Sequence, residues 1–269
     1  MTEVSDAPPT PKELRDLLAL KHGDVARAGW GVRRRHRFGF YTPDDHYEAL
    51  VRRYVQPATR WLDVGGGSSI FPHNSALAKE LSERAGLLVG VDPSDNIRTN
   101  PFVHDRAQCL IEDYQTPHRF DLVTFRMVAE HVADPSLVVR TLRTLTAPGG
   151  RVIIFTINKW SPISLVSKAT PFGLHHPLKK LFWGGDEKDT FPVQYRMNTR
   201  SDLKRAFRAG GFDEVGFLYL DDLATFSQLR VLNWMELRAW RVLRALRLRY
   251  PETCLLGVYH RSGDESFRR

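Results

Sequence analysis

A chain of 269 residues is long enough to bury a full core, and its 42% hydrophobic and 26% charged residues exclude a disordered or fibrous protein. No apolar run reaches the roughly 18 residues of a transmembrane helix. The amino end MTEVSDAPPTP is neither basic nor apolar, and two cysteines without ligand spacing exclude a disulfide framework and a zinc site, so a cytoplasmic, metal-free protein is expected.

In chain order, Thr10, Pro11 and Glu13 signal a capped start for the helical run KELRDLLALK. Thr42 and Pro43 cap a second helix with Tyr47, Leu50, Val51 and Tyr54 on its apolar face. Between them lies the basic cluster Arg33, Arg34, Arg35, His36, Arg37, followed by Phe38, Phe40 and Tyr41. It reads first as a solvated basic loop and second as a site for phosphate, nucleic acid or an anionic lipid surface.

The segment RWLDVGGGSS (residues 60–69) runs a short apolar strand into an acid and three glycines. Glycine lacks a Cβ, so Gly65, Gly66 and Gly67 let a ligand lie against the main chain at the carboxyl edge of a sheet. A dinucleotide fingerprint would need a third glycine where Ile70 stands, and no Walker-type lysine follows, so the better ligand is a nucleoside without phosphates. Leu87 to Val91 forms a second buried strand ending at Asp92, an acid placed to take both hydroxyls of a ribose. Read blandly, Asp63 caps the next helix and Asp92 with Pro93 makes a turn.

A third strand is expected at Cys109 to Ile111, ending in Glu112 and Asp113, with both Cys109 and Cys254 in apolar strands. Asp121 to Phe125 is a fourth and leads to Glu130 and His131, which either serve chemistry or set local packing. Arg151 to Ile157 is a fifth, after the turn Pro148, Gly149, Gly150.

Residues 158–198 are too long for a plain connection and carry Trp160, Phe172, Phe182, Trp183, Phe191 and Tyr195, with His175, His176 and Arg196 as polar handles. Such an insertion is expected to roof a pocket at the carboxyl ends of the strands. A capped helix from Thr199 to Ala209, a strand near Val215 to Leu220 and a last strand from Cys254 to His260 follow. Within residues 229–249 a helix places Leu232, Met235, Ala239, Val242, Leu243 and Leu246 on one face and Arg230, Arg238, Arg241 and Arg244 on the other. The first reading is core packing with a solvated arginine face. The second is peripheral contact with an anionic membrane, which the net charge of +8 and Trp234 and Trp240 also suit.

Taken together, LDVGGGSS (residues 62–69), VGVDPS (89–94), IEDY (111–114), FDLVTFRMVAEHVADP (120–135) and LTAPGGRVII (145–154) resemble the class I S-adenosylmethionine-dependent methyltransferases. The likeness covers residues 40–160 and is strongest to the small-molecule branch that includes quinone-biosynthesis methyltransferases. It implies an α/β fold with a doubly wound, mostly parallel seven-stranded sheet, the last strand antiparallel, plus helical cap insertions. It also implies one methyltransferase domain over 1–269, comprising cover helices (1–58), a cofactor-binding core (59–157), a substrate-cap insertion (158–198) and C-terminal strands with an amphipathic helix (199–269).

Residue by residue, the resemblance gives Asp63 and Gly65 to Gly67 the methionine end of S-adenosyl-L-methionine and Asp92 its ribose. Glu112 or Asp113 would border the adenine, and Arg126 and Met127 would line the methyl-donor side. Ser69 stands where the family often has another glycine, which narrows the loop's freedom. His131 is the candidate catalytic base, needed only for an acidic acceptor. A small, lipophilic acceptor is the leading expectation. An RNA or DNA methyltransferase and a cofactor-binding protein without turnover are the alternatives, and FRMVAEH in place of an Asn/Asp-Pro-Pro-aromatic turn weighs against nucleic acid.

Overall fold

Two reciprocal capping boxes fix the amino-terminal helices. The Thr10 side chain accepts from Glu13 N while Thr10 N donates to the Glu13 carboxylate at 2.7 Å, starting α1 (Pro11–His22). Thr42 and Asp45 repeat the arrangement at α3 (Pro43–Tyr54). The structure, a computed structural model, describes residues 4–161, 192–223, 226–227, 229–248 and 250–263. Of the aromatic insertion, Phe172, His175, His176, Phe182, Trp183 and Phe191 lie outside the described residues.

The basic cluster corrects the loop expectation, because it forms α2 (Trp30–Phe38). Gly39 closes this helix in the left-handed region at φ 67°, and Arg35, His36 and Arg37 sit where the negative end of the helix dipole favours cations. Arg35 points inward to Asp45 at 3.1 Å, and Asp45 also meets Lys21 at 3.3 Å. Lys21 reaches Glu48 at 3.2 Å, so one ammonium bridges two buried acids of α3.

The sheet comprises β1 (Arg60–Val64), β2 (Leu87–Val91), β3 (Asp105–Ala107), β4 (Phe120–Arg126), β5 (Thr146–Ile157), β6 (Phe212–Asp221) and β7 (Glu252–Arg261), in the order β3-β2-β1-β4-β5-β7-β6. The pairings from β3 to β5 are parallel, and β7 runs antiparallel to both its neighbours, as the resemblance implied. Strands buried on both faces read as continuous apolar runs, which is why LLVGV and DLVTF stood out. Trp61, Leu122, Ile153 and Phe155 pack under α1, α3 and α4 (Ser75–Arg84). Leu62, Val64, Val123 and Phe125 pack on the other side with α5 (Pro135–Leu145) and α6 (Arg200–Ala209).

The third strand lies earlier than expected. β3 is an edge strand beside β2, so Asp105 and Arg106 can stay exposed there, while Ile111 buries its side chain in the second core from a 3-10 turn over Ile111–Asp113. Cys109 therefore sits half-buried in the connection and not in a strand, whereas Cys254 is buried in β7.

The last helix, α7 (Arg230–Ala245), also departs from the expected faces. It buries Asn233, Glu236, Leu237 and Trp240, a face lying between the apolar and arginine stripes read from the sequence. Polar anchors set this rotation: Trp240 Nε1 donates to Asp221 at 2.7 Å, and Tyr250 Oη donates to Glu236 at 3.1 Å. Met235, Val242 and Leu246 are consequently exposed.

Candidate active site

The order β2-β1-β4 reverses the direction of winding at β1, and a crevice opens where the carboxyl ends of β1 and β4 diverge. A cavity of about 350 Å³ occupies it. Gly65 and Gly67 from the β1 loop, Asp92 from the end of β2, Glu112 from the 3-10 turn, and Met127 and His131 after β4 all line it. Six residues from four separated segments are thus brought together.

The glycine loop is fitted to its surroundings. Gly65 has φ 78°, and a Cβ there would collide with Val128; a Cβ on Gly66 would stand 2.5 Å from Asp63 Oδ2. Asn100 Nδ2 donates to the carbonyls of Gly66 and Gly67 at 3.2 Å each, and Gly67 N donates to Asp92 Oδ2 at 3.0 Å. Asp92 Oδ1 accepts from Ser94 N at 2.8 Å.

Asp63 lies beneath the loop, 2% exposed, and not on the cavity wall. Burial pushes its carboxyl up to about 7, against the hydrogen bond from Thr124 and the positive charge of Arg126, which both pull it down. Thr124 Oγ1 donates to Asp63 Oδ1 at 2.6 Å and accepts from Trp61 Nε1 at 2.7 Å. The helix after the loop is capped by Asn74 and not by Asp63, so the bland reading of this acid does not apply.

Arg126 does not line the cavity; it donates from Nη2 to Asp44 Oδ1 at 2.7 Å and so ties β4 to the first turn of α3. Gly66 and Asp113 also lie off the wall, Asp113 exposed to solvent. Met127 takes φ 54°, a left-handed conformation costly for a non-glycine residue, with its N–H donating to Phe155 O at 2.8 Å.

His131 Nδ1 lies 3.2 Å from the Pro192 carbonyl oxygen. A carbonyl only accepts, so Nδ1 carries a proton and donates it to Pro192 O. Glu130 acts locally: its buried carboxyl, raised by that burial, accepts from Thr156 Oγ1 at 2.8 Å, and its carbonyl accepts from Gln194 N and Tyr195 N. Asn198 Nδ2 donates to Thr156 Oγ1 at 2.8 Å and completes the chain. Residues 192–195 are thereby pinned beside the cavity, and Gln194 lines it.

Thr124, Asn100, Val128 and Gln194 carry no motif of their own. Thr124 alone had a usable signal, a polar residue inside a buried strand in register with Asp63. Among the described residues no cluster of three or more His, Cys, Asp or Glu side chains could hold a metal ion, and no helix is long and apolar enough to cross a membrane.

Residues 30–215 match a methyltransferase domain family. The ubiquinone biosynthesis O-methyltransferase of Proteus mirabilis is 34% identical over 153 residues, which are 52% of this chain and 59% of that protein. The protein of the same name from Photorhabdus laumondii is 33% identical over 166 residues, 56% of this chain and 65% of its own. The chain spans about half the length of the curated relatives it matches. Among solved structures, a S-adenosylmethionine dependent methyltransferase from Mesorhizobium loti superposes with a TM-score of 0.50 at 18% identity, covering 81% of this chain and all of that one, a likeness of fold.

Proposed function

The chain belongs to the methyltransferase domain family, and we propose that it transfers a methyl group from S-adenosyl-L-methionine to an oxygen of a small, lipophilic acceptor. The observation that carries this reading is the convergence of Gly65, Gly67, Asp92, Glu112, Met127 and His131 on one cavity at the sheet's switch point. The residues fit such a nucleoside: the loop is too tight for any Cβ at Gly65, and the Asp63 carboxyl lies buried beneath it. When bound, the cofactor supplies a methyl group already activated on a sulfonium.

In this reading the chain's own work is positioning. The Asp92 carboxylate, braced by the N–H groups of Gly67 and Ser94, accepts from the ribose hydroxyls. Glu112 borders the adenine, and Asp63 offers negative charge under the loop at the methionine end. The walls exclude water and align donor with acceptor, an effect that contributes roughly 7 to 11 kcal/mol. His131 Nε2 takes the proton of an acidic acceptor hydroxyl as the oxygen–carbon bond forms. Arg126 positions the β4 end through Asp44. The oxygen acceptor rests on the names of the two relatives, and contact through residues 229–249 with the cytoplasmic face of a membrane would bring a lipophilic acceptor within reach. The whole chain, 1–269, is read as one methyltransferase domain.

Purified protein given methyl-labelled cofactor and a whole-cell extract should place label in the organic fraction. Label in nucleic acid would refute the reading. Asp92→Ala should lose most affinity for S-adenosylhomocysteine, and unchanged affinity would remove the ribose assignment.

A further inference from the structure

Two arginine clusters just over 200 residues apart in sequence face each other across one groove. Helices α2 and α7 form its walls, with a volume of about 690 Å³. Arg33, Arg34 and Arg37 come from α2, and Arg238 and Arg241 from α7. Among the described residues no acidic side chain lines the groove, and none of these five guanidiniums enters an ion pair. Arg35, the member of the cluster that does pair with an acid, points the other way, into α3.

Two of these guanidiniums rest on aromatic rings. Arg34 lies 4.7 Å from the Trp30 ring centroid and Arg230 lies 5.4 Å from the same ring, while Arg238 lies 4.5 Å from that of Trp234. Arg34 also donates to the Arg230 carbonyl, which ties α2 to the start of α7. Like charges gathered in one groove repel one another, and an anionic occupant relieves that cost.

Beside the groove, α7 turns an apolar stripe to solvent. Val231 is 71% exposed, Met235 55%, Val242 56% and Leu246 63%. Val231, Met235, Val242 and Leu246 share one helical face, next to the arginine flank and opposite the face that carries Trp240 into the small core with Phe40, Leu223 and Leu237. A soluble polyanion would meet the arginines and leave this stripe in water. A bilayer with anionic headgroups satisfies both, phosphates in the groove and acyl boundary against the stripe.

We infer that the groove between α2 and α7 binds the phosphate groups of anionic phospholipids, docking this face of the protein on a membrane surface with the exposed stripe of α7 inserted at the headgroup level. The inference deepens the proposed membrane contact of residues 229–249, adding α2 as half of the site, and does not depend on methyl transfer.

The test is co-sedimentation of the full chain with vesicles of phosphatidylcholine alone and of phosphatidylcholine mixed with phosphatidylglycerol. Tighter binding to the mixed vesicles is expected, weakening as salt is raised. Arg33→Glu with Arg241→Glu, both exposed, should reduce that binding at least tenfold, since each basic residue near an anionic surface contributes about fivefold. Met235→Ser with Val242→Ser should weaken it with the arginines intact. Circular dichroism and titration with S-adenosylhomocysteine on the same variants verify the fold. Equal binding to both vesicle types, no effect of the arginine pair, or tight binding of RNA or inorganic phosphate without vesicle binding would each overturn the inference. Wild-type protein that binds anionic vesicles but not S-adenosylhomocysteine would refute the methyltransferase reading and leave this one standing.

Discussion

Thr124 Oγ1 stands 2.6 Å from Asp63 Oδ1, linking two strands through side chains buried from water, and Trp61 Nε1 donates to the same hydroxyl from the other side. The indole uses the oxygen as acceptor, so the hydroxyl proton goes to Asp63. Thr124→Val keeps the shape and removes that donor. Losing a hydrogen bond to a charged group costs roughly 1.5 to 3 kcal/mol. The carboxylate should therefore become harder to form, and affinity for S-adenosylhomocysteine at neutral pH should fall about tenfold by calorimetry. Wild-type affinity in this variant would show that Asp63 does not serve the ligand.

The raised pKa of Asp63 gives binding a pH dependence of definite sign. The free protein holds the proton up to about pH 7, because burial disfavours the carboxylate. A ligand bearing an ammonium group prefers the carboxylate, so binding expels the proton below that pH. Apparent affinity should improve about tenfold between pH 6 and 8, the ratio expected for one group titrating near 7. Stability of the free protein runs the other way. A folded-state value above the unfolded one contributes stability that is complete below pH 4 and lost as pH rises through 7. Asp63→Asn should flatten both profiles, and a binding curve that keeps its slope in this variant would assign the proton elsewhere.

How much of this could be read from the chain depended on what buries each element. Strands β1, β2, β4 and β5 were legible because both faces are covered, so apolar residues are obligatory along them. β3 was not, since an edge strand pairs through its backbone and tolerates Asp105 and Arg106. The faces of α7 were misplaced because a helical wheel weighs apolar residues alone, whereas bonds from Trp240 to Asp221 and Tyr250 to Glu236 set the rotation. Gly65, Gly67 and Asp92 were legible from strand-end position. Asn100 acts through contacts between segments that no local pattern encodes, and Thr124 left only the signal of a polar residue inside a buried strand.

Cys109 offers a chemical reporter of the cavity. Its thiol is half-buried on the wall beside Leu110 and Ile111, and burial raises its pKa, with the charge of Asp113 adding to the shift. Alkylation should be slow at neutral pH and accelerate as pH rises, since the thiolate is the nucleophile. Cys254, buried in β7, should stay unmodified in the folded protein. Saturating S-adenosylhomocysteine should protect Cys109 severalfold in a mass-spectrometric time course. Labelling at the same rate with and without ligand would place the adenine elsewhere.

His131 separates positioning from proton transfer. His131 lines the cavity and its Nδ1 donates to Pro192 O, and the proposed function assigns the proton transfer to Nε2. His131→Gln should leave affinity for S-adenosylhomocysteine within about twofold, because the histidine is assigned to the acceptor. With a phenolic acceptor, kcat should drop about 100-fold or more, the usual contribution of a placed general base. The loss should shrink as pH rises toward the acceptor's own ionisation, since an acceptor already deprotonated needs no base. A uniform loss across pH would instead assign His131 to holding residues 192–195 beside the cavity, and an unchanged kcat would remove it from the reaction.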